Sequence, residues 1–256
     1  MMQNKVKEQL TEIARLAGDA IMEVYKLDDF SNVVDFKSDD SPLTLADKAA
    51  NEVITEKLKE YFPDIPVLSE EGRSIPFEER KDWSEFWLVD PLDGTKEFIK
   101  RNGQFTVNIA LIRDGFPVKG IVYTPVTEVT YYGDENGAVK IEGGNESVLK
   151  VNNKSDDRIA VRSASHASDE EEGVLNSYKC TDSISVGSSL KFCMVAEGKA
   201  DLYYRHGPTM EWDTGAGQAV VEAAGGKVLR FEEKVRFYYN RENLLNPSFL
   251  VLGFEN

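Results

Sequence analysis

The hexapeptide Asp90-Pro91-Leu92-Asp93-Gly94-Thr95 places two carboxylates around a proline and just ahead of a glycine. An apolar run, Phe86-Trp87-Leu88-Val89, reads as a buried strand that delivers Asp90 to its C-terminal edge. Asp-Pro and Asp-Gly both favour sharp turns, so Asp93 can point back toward Asp90. Two carboxylates held that close repel each other unless a hard cation sits between them. Thr95-Lys96-Glu97-Phe98 then starts a short helix whose free N–H groups suit a phosphate. The plain alternative is an Asx turn with two solvated acids.

Other acids stand at the ends of predicted elements. Glu70-Glu71 follows a short strand predicted over 66–69, and by itself such a pair is a solvated loop. Asp213, after Trp212, has the position of an N-cap for a helix predicted over 214–224. Asp47 lies three residues after Thr44, a spacing that helix capping alone would explain. Several other catalytic devices are missing. No G-x-x-x-x-G-K-[ST] loop occurs, and the Gly215-Ala216-Gly217 stretch lacks a preceding strand and a third glycine. With His166 and His206 as the two histidines, neither an H-E-x-x-H zinc site nor a G-x-S-x-G triad can be assembled.

The elements that must position these acids follow from hydrophobic periodicity. Val6, Leu10, Ile13, Ala17, Ile21 and Val24 predict one long amphipathic helix over 3–26. A polar loop over 28–40 follows, then a second helix over 44–62 that Pro63 ends. From Phe105 the period becomes that of a sheet, with strands predicted over 105–112, 118–123 and 129–132 as an antiparallel meander. Residues 133–155 are rich in Gly, Asn and charge, and a boundary near Asn145 divides the chain into halves 1–145 and 146–256. The second half alternates strands (159–162, 183–186, 200–204, 227–231, 249–252) with helices (168–178, 188–197, 214–224). Such alternation implies stacked helix and sheet layers of the α/β or α+β class.

Composition narrows the function classes. Across 256 residues, 30 Lys and Arg face 45 Asp and Glu, a formal charge of −15. Nucleic acid partners require a basic footprint, which this balance argues against. A small phosphate ligand stays compatible, because bound metal ions invert the local field. Cys180 and Cys193 form no C-x-x-C pair and read as two buried thiols in a reducing compartment. The N-terminus lacks the apolar core of a signal peptide and no run approaches the ~20 residues of a membrane span. The expectation is a soluble cytoplasmic protein, with a peripheral attachment to the inner membrane left open.

Together these motifs resemble one family over nearly the whole chain. Ser69-Glu70-Glu71, then Trp87-Leu88-Val89-Asp90-Pro91-Leu92-Asp93-Gly94-Thr95, then Trp212-Asp213-Thr214-Gly215-Ala216-Gly217 look like the motifs of the inositol monophosphatase superfamily, and 41–47 resembles its upstream helix start. Gly94-Thr95-Lys96-Glu97-Phe98-Ile99 and Phe105-Thr106-Val107-Asn108-Ile109-Ala110 resemble its bacterial bisphosphate nucleotidase branch, as do Gly187-Ser188-Ser189-Leu190-Lys191-Phe192 and Gly207-Pro208-Thr209. One departure is plain: the branch usually has Arg-Ser-His where this chain has Ala164-Ser165-His166, with Arg162 two positions earlier.

The resemblance implies a layered αβαβα sandwich with the active site between its halves. It implies a Mg²⁺-dependent removal of the 3′-phosphate from adenosine 3′,5′-bisphosphate, giving AMP and phosphate, in sulfur assimilation. Glu70, Asp90 and the Leu92 carbonyl would hold one Mg²⁺, and Asp90, Asp93 and Asp213 a second, with room for a weaker third near Glu70. Asp47 and Thr95, with Glu70, would orient and deprotonate the attacking water. Gly94 and Thr95 N–H groups would hold phosphate oxygens. Ser163, His166, Gly187, Ser188, Ser189 and Lys191 are the nucleotide contacts the resemblance implies, beside Glu70, Leu92, Asp93 and Asp213. Lys191 would meet the second phosphate as a point charge. The partner is then a small nucleotide bisphosphate, with oligomeric state open between monomer and homodimer. The same chemistry on an inositol or sugar phosphate, or a non-catalytic role as partner of a transcription complex, are the alternatives.

Overall fold

A computed structural model describes residues 2–26, 34–36, 42–162 and 169–255, with side chains described for 5–26, 45–162 and 170–255. The predicted polar loop 28–40 therefore lies largely outside the described residues, as do Ser163 and His166. The chain opens with α1 (Met2–Tyr25), a short hairpin β1 (Val34–Phe36) and β2 (Pro42–Thr44), and α2 (Leu45–Tyr61). Then come β3 (Val67–Ser69), the single turn α3 (Phe77–Arg80), β4 (Glu85–Asp93) and α4 (Thr95–Ile99). A meander follows: β5 (Thr106–Arg113), β6 (Phe116–Thr124), β7 (Val129–Asp134), β8 (Gly137–Glu142) and β9 (Asn145–Leu149). The rest is β10 (Arg158–Arg162), α5 (Asp169–Ser177), β11 (Cys180–Ser185), α6 (Leu190–Ala196), β12 (Leu202–Arg205), α7 (Trp212–Ala223), β13 (Lys227–Arg230) and β14 (Phe249–Leu252).

Two sheets carry the architecture. The first has seven strands in chain order β3 to β9, parallel at β3–β4 and antiparallel elsewhere. The second has five, ordered β11-β10-β12-β14-β13. Side chains alternate across a strand, so each apolar strand feeds two cores. Trp87, Val89, Val107, Ile109 and Ile121 meet α1 and α2 through Leu10, Ile13, Ala50 and Ile54. Phe86, Leu88, Ala110, Ile112 and Val122 face the other way, onto Phe192 and Val195 of α6 and Ala216 and Val220 of α7. Tyr203, Phe249 and Val251 cover that helical layer from the second sheet, whose far face, with Leu202, Tyr204, Leu250 and Leu252, receives Val174 and Leu175 of α5. The result is the expected αβαβα sandwich. No helix among the described residues is long and apolar enough to cross a membrane.

The stretch 133–155, read as irregular, instead extends the first sheet with β8 and β9. Gly143 and Gly144, at φ +55° and +77°, close a two-residue hairpin between them. Both central residues with φ above zero make a turn matched to strand twist, so this Gly-Gly pair was the available signal. The predicted boundary near Asn145 falls at the first residue of β9, which pairs with β8. Cys193 is buried as expected, whereas Cys180 is only half-buried; both are free thiols.

The central helix lies directly on the sheet because glycines remove the obstacle. A Cβ on Gly133 would meet the Ala219 carbonyl oxygen and the Val220 Cα, each at 2.7 Å. Backbone atoms of a buried helix cannot swing aside, so Gly133→Ala forces α7 off β7. We expect it to cost about 1–3 kcal/mol, the usual range for overpacking. Thermal unfolding should register this as a fall of roughly 2–4 °C per kcal/mol for a chain of this size. An unchanged Tm would mean that α7 sits less closely on the sheet than described.

Candidate active site

Of the acids singled out from the sequence, Asp47, Glu70, Asp90, Asp93 and Asp213 converge at one end of the first sheet, where it meets the starts of α6 and α7. The local reason begins in β4. Asp90 pairs with Asn108 and Asp93 with Thr106, so β4 spends one residue more than β5 over the same stretch. In a regular strand, residues three apart point to opposite faces. This one-residue bulge brings Asp93 back to the face of Asp90, and Pro91, which can donate no ladder bond, sits inside it. Gly94 follows at φ +95°, a left-handed conformation that glycine adopts freely, and opens α4. Asp90 Oδ1 accepts the Leu92 N–H at 3.1 Å, the Asx turn anticipated as the plain alternative. The Asx turn is therefore present, but Asp90 is 1% exposed, not solvated.

Glu70 arrives from the neighbouring strand. β3 runs parallel to β4, with Ser69 beside Val89, and the Glu70 N–H bonds the Val89 carbonyl at 3.1 Å, which carries Glu70 to the level of Asp90. Asp213 comes from the middle layer. It lies within the first turn of α7, not ahead of it, and its Oδ2 accepts the Met210 N–H at 2.8 Å. It therefore closes the helix start from inside, the reciprocal half of a capping box. Glu70, Asp90 and Asp213 each present an oxygen within 4.8 Å of the other two.

Burial pushes the Asp90 carboxyl well above its ordinary value, and the charges of Glu70, Asp93, Asp213 and Asp47 push it further. Burial and then the charge of Asp93 raise Asp213, partly offset by the Met210 N–H. Four carboxylates around a buried fifth, all oxygen donors, form a set that fits hard divalent cations. Asp47, 2% exposed in the first turn of α2, belongs to this field, and Thr95 is the first residue of α4.

Asp93 is held from the opposite half of the chain. Its Oδ2 accepts from Ser188 Oγ (2.8 Å), the Ser189 N–H (2.6 Å) and Ser189 Oγ (2.7 Å). Ser189 Oγ also lies 3.0 Å from the Asp213 carbonyl, so one hydroxyl spans both acids. Ser188 takes φ +55°, a left-handed conformation costing an L residue roughly 1–2 kcal/mol, and its Oγ lies 2.6 Å from Thr106 Oγ1. Gly187 donates to Gln104 Oε1 at 2.8 Å, and a Cβ there would fall 2.9 Å from the Gln104 carbonyl.

Lys191 is buried, and its ammonium donates to the carbonyls of Ser188 (2.9 Å) and Val186 (3.2 Å), bracing this same loop. Burial lowers its pKa to about 8. Arg162, two positions ahead of the alanine that replaces the usual arginine, is committed to Glu171 at 2.8 Å and Glu172 at 2.6 Å.

Three residues in the site carried no assigned role at the level of sequence. Asn108 donates to Ser189 Oγ at 3.0 Å and Thr106 to Asn108 Oδ1 at 3.1 Å, from the face of β5 that also bears Ala110. Their signal was two polar residues inside the otherwise apolar run 105–112. Arg205 ends β12, and its Nε is buried without a hydrogen-bond partner. Its charge lowers the pKa of both Asp213 and Lys191. An arginine at the edge of Leu202-Tyr203-Tyr204 was the visible clue.

The model of the inositol monophosphatase family matches residues 2–251. The chain is 51% identical over 246 residues to the 3′(2′),5′-bisphosphate nucleotidase CysQ of Salmonella typhimurium, covering 95% of this chain and 98% of that protein. It is 50% identical over 244 residues to the protein of the same description from Escherichia coli, with the same coverage. The crystal structure of CysQ from Bacteroides thetaiotaomicron superposes with a TM-score of 0.85 at 40% identity, covering 97% of this chain and 98% of the other. An inositol monophosphatase from Anabaena, at 24% identity and a TM-score of 0.76 over 99% of this chain and 92% of its own, shares the fold. A match running almost end to end, together with half-identical relatives covered nearly in full, places the chain in the inositol monophosphatase family.

Proposed function

We propose that the protein is a 3′(2′),5′-bisphosphate nucleotidase that removes the 3′-phosphate of adenosine 3′,5′-bisphosphate with Mg²⁺ as its metal. The observation that carries this reading is the buried Asp90 among Glu70, Asp93, Asp213 and Asp47, with the Arg205 charge acting on Asp213 and the Lys191 ammonium bracing the loop that holds Asp93. Acids able to hold cations, next to side-chain cations able to hold a second anion, suit a substrate with two phosphates. The relatives described above carry the nucleotidase description in their own names.

In this reading Glu70, Asp90 and the Leu92 carbonyl would hold one Mg²⁺, and Asp90, Asp93 and Asp213 would hold another. Divalent cations bound there would polarise the attacking water and the phosphate and neutralise the departing 3′-oxygen. Thr95 and Asp47 would orient that water, and Asp47 or Glu70 would take its proton. The N–H groups of Gly94 and Thr95 hold phosphate oxygens. Loop 187–189 sets the Asp93 carboxylate and offers Ser188 to the nucleotide, with Ser163 and His166 as further contacts. The halves 1–145 and 146–256 supply opposite walls, in a cytoplasmic setting that suits two free thiols. Arg205 meets the 5′-phosphate.

Phosphate release from adenosine 3′,5′-bisphosphate, inositol 1-phosphate and a sugar phosphate, each with Mg²⁺ and with chelator, tests the reading. Metal-dependent turnover favouring the bisphosphate is expected; preference for the inositol ester would make this an inositol monophosphatase. No turnover of any ester would leave a binding role.

Lys191 gives a pH prediction. Its ammonium loses its proton as pH rises through about 8, which weakens its charge-assisted grip on loop 187–189. We expect kcat/KM to decline above that pH, since this ratio reports groups of the free enzyme. Lys191→Met should lower kcat/KM at pH 7 and lose the alkaline limb. A limb that survives the substitution belongs to another group.

A further inference from the structure

Apart from the acids, the most costly polar cluster in the described residues surrounds the start of α7. Glu211, immediately before Trp212, is 0% exposed, and Arg80, at the end of α3, is 2% exposed. Buried charges are expensive unless paired and fully hydrogen-bonded, and replacing such pairs by apolar groups often does not destabilise. Here the pairing runs through residues 240–246. The Glu211 carboxylate accepts the N–H groups of Asn240 (2.8 Å) and Arg241 (3.0 Å) and the Arg241 Nε (3.0 Å). Arg80 donates to Asn240 Oδ1 (2.8 Å) and the Glu242 carbonyl (3.0 Å), while Asn240 Nδ2 returns a bond to the Arg80 carbonyl at 2.7 Å. At the other end, Asn246 Nδ2 donates to the Met210 carbonyl at 2.6 Å and to Thr214 Oγ1 at 3.2 Å.

Met210 is the residue whose N–H fixes the Asp213 carboxylate. Asn246 thus grips one side of Met210 while Asp213 leans on the other. Arg80 closes the loop that starts at Glu70, and Arg80 and Glu211 are joined through Asn240 and Arg241. We infer that the strap 240–246 is the device that sets Asp213 against Glu70, with Glu211, Arg241 and Asn246 as positioning residues for metal binding. This rests on reading the acid cluster as a metal site. The strap thus adds, to the hydrogen bonds that seat Glu70 beside β4 and Asp213 beside Ser189, a tie between the end of α3 and the start of α7.

The test compares Glu211→Gln, Arg241→Met and the conservative Arg241→Lys with the parent protein. Mn²⁺ is the probe, followed by calorimetric binding and by its effect on Tm, alongside the Mn²⁺ dependence of phosphate release. Displaced outer-sphere partners of metal ligands typically cost 10–100-fold in affinity. We expect Glu211→Gln and Arg241→Met to weaken Mn²⁺ binding by about 10-fold or more, with KM for the nucleotide at saturating metal changed less than about twofold. Arg241→Lys, which keeps the charge but not the fork, should recover part of the affinity. A lower metal-free Tm with unchanged Mn²⁺ affinity would reduce the strap to a purely structural role and overturn the inference. If Arg241→Met fails to fold, Asn246→Ser, which leaves the buried charges paired, carries the same expectation. A parent protein that binds no Mn²⁺ would overturn the metal-site reading itself, whatever the variants do.

Discussion

Asp90→Asn is expected to abolish most activity while making the metal-free protein more stable. The two effects have one cause. Asp90 is buried among four other acids, so its charge is unfavourable until cations arrive and indispensable once they do. An amide is a poor ligand for a hard cation, and under the proposed function Asp90 would serve both ions. The loss in kcat should be on the order of 10³-fold, the upper range for removing one electrostatic stabiliser of a transition state.

The stability effect depends on pH with a definite sign. Asp90 and Asp213 bind protons more tightly in the folded chain than at the ordinary value of 3.8. The native state therefore holds more protons than the unfolded state above that value, and metal-free stability falls as pH rises through the raised range. The gain from Asn should be small near pH 5 and larger near pH 8. Each kcal/mol gained would appear as roughly 2–4 °C in Tm. Added Mg²⁺ should stabilise the parent more at pH 8 than at pH 5 and stabilise the variant little. A variant with near-parental turnover, or a metal-free Tm below the parent's at pH 8, would take Asp90 out of the cation site.

Arg205→Met is expected to separate two substrates that differ by one phosphate. Arg205 has a buried Nε without a partner, whereas the Lys191 ammonium is already occupied by two carbonyls. A guanidinium also matches a phosphate with two parallel bonds, which an ammonium does not. Losing a charge-assisted contact worth about 1.5–3 kcal/mol predicts a fall of roughly 10- to 150-fold in kcat/KM for adenosine 3′,5′-bisphosphate. Adenosine 3′-monophosphate lacks the 5′-phosphate and should be turned over almost equally by both proteins. Lys191→Met, by contrast, should slow both substrates, because its ammonium braces the loop that holds Asp93. Equal losses on both substrates for Arg205→Met would assign Arg205 to the acids and not to the nucleotide.

The sequence by itself determined the layers and the main acids of the site. Periodicity is a local property: the helical faces of 3–26 and 44–62 and the two-sided apolar runs 86–89 and 105–112 each require a partner on every apolar face, which dictates stacked layers. Local spacing marked Asp90 and Asp93 as a close pair; it was the likeness to the inositol monophosphatase motifs that added Asp47, Glu70, Thr95 and Asp213. β8 and the edge strand β9 escaped because the margin of a sheet needs little apolar alternation, and a hairpin turn of two glycines was their single mark. What the tertiary structure alone decided is which groups face one another. The β4 bulge that turns Asp93 to the side of Asp90 depends on pairing with β5. The grip of Ser188 and Ser189 on Asp93 joins residues some ninety-five positions apart. The commitment of Lys191 to its own loop, and the open Nε of Arg205, follow from packing between two sheets. Hydrogen bonds of such range leave no periodic trace in a chain, because their partners are chosen by the fold and not by their neighbours in sequence.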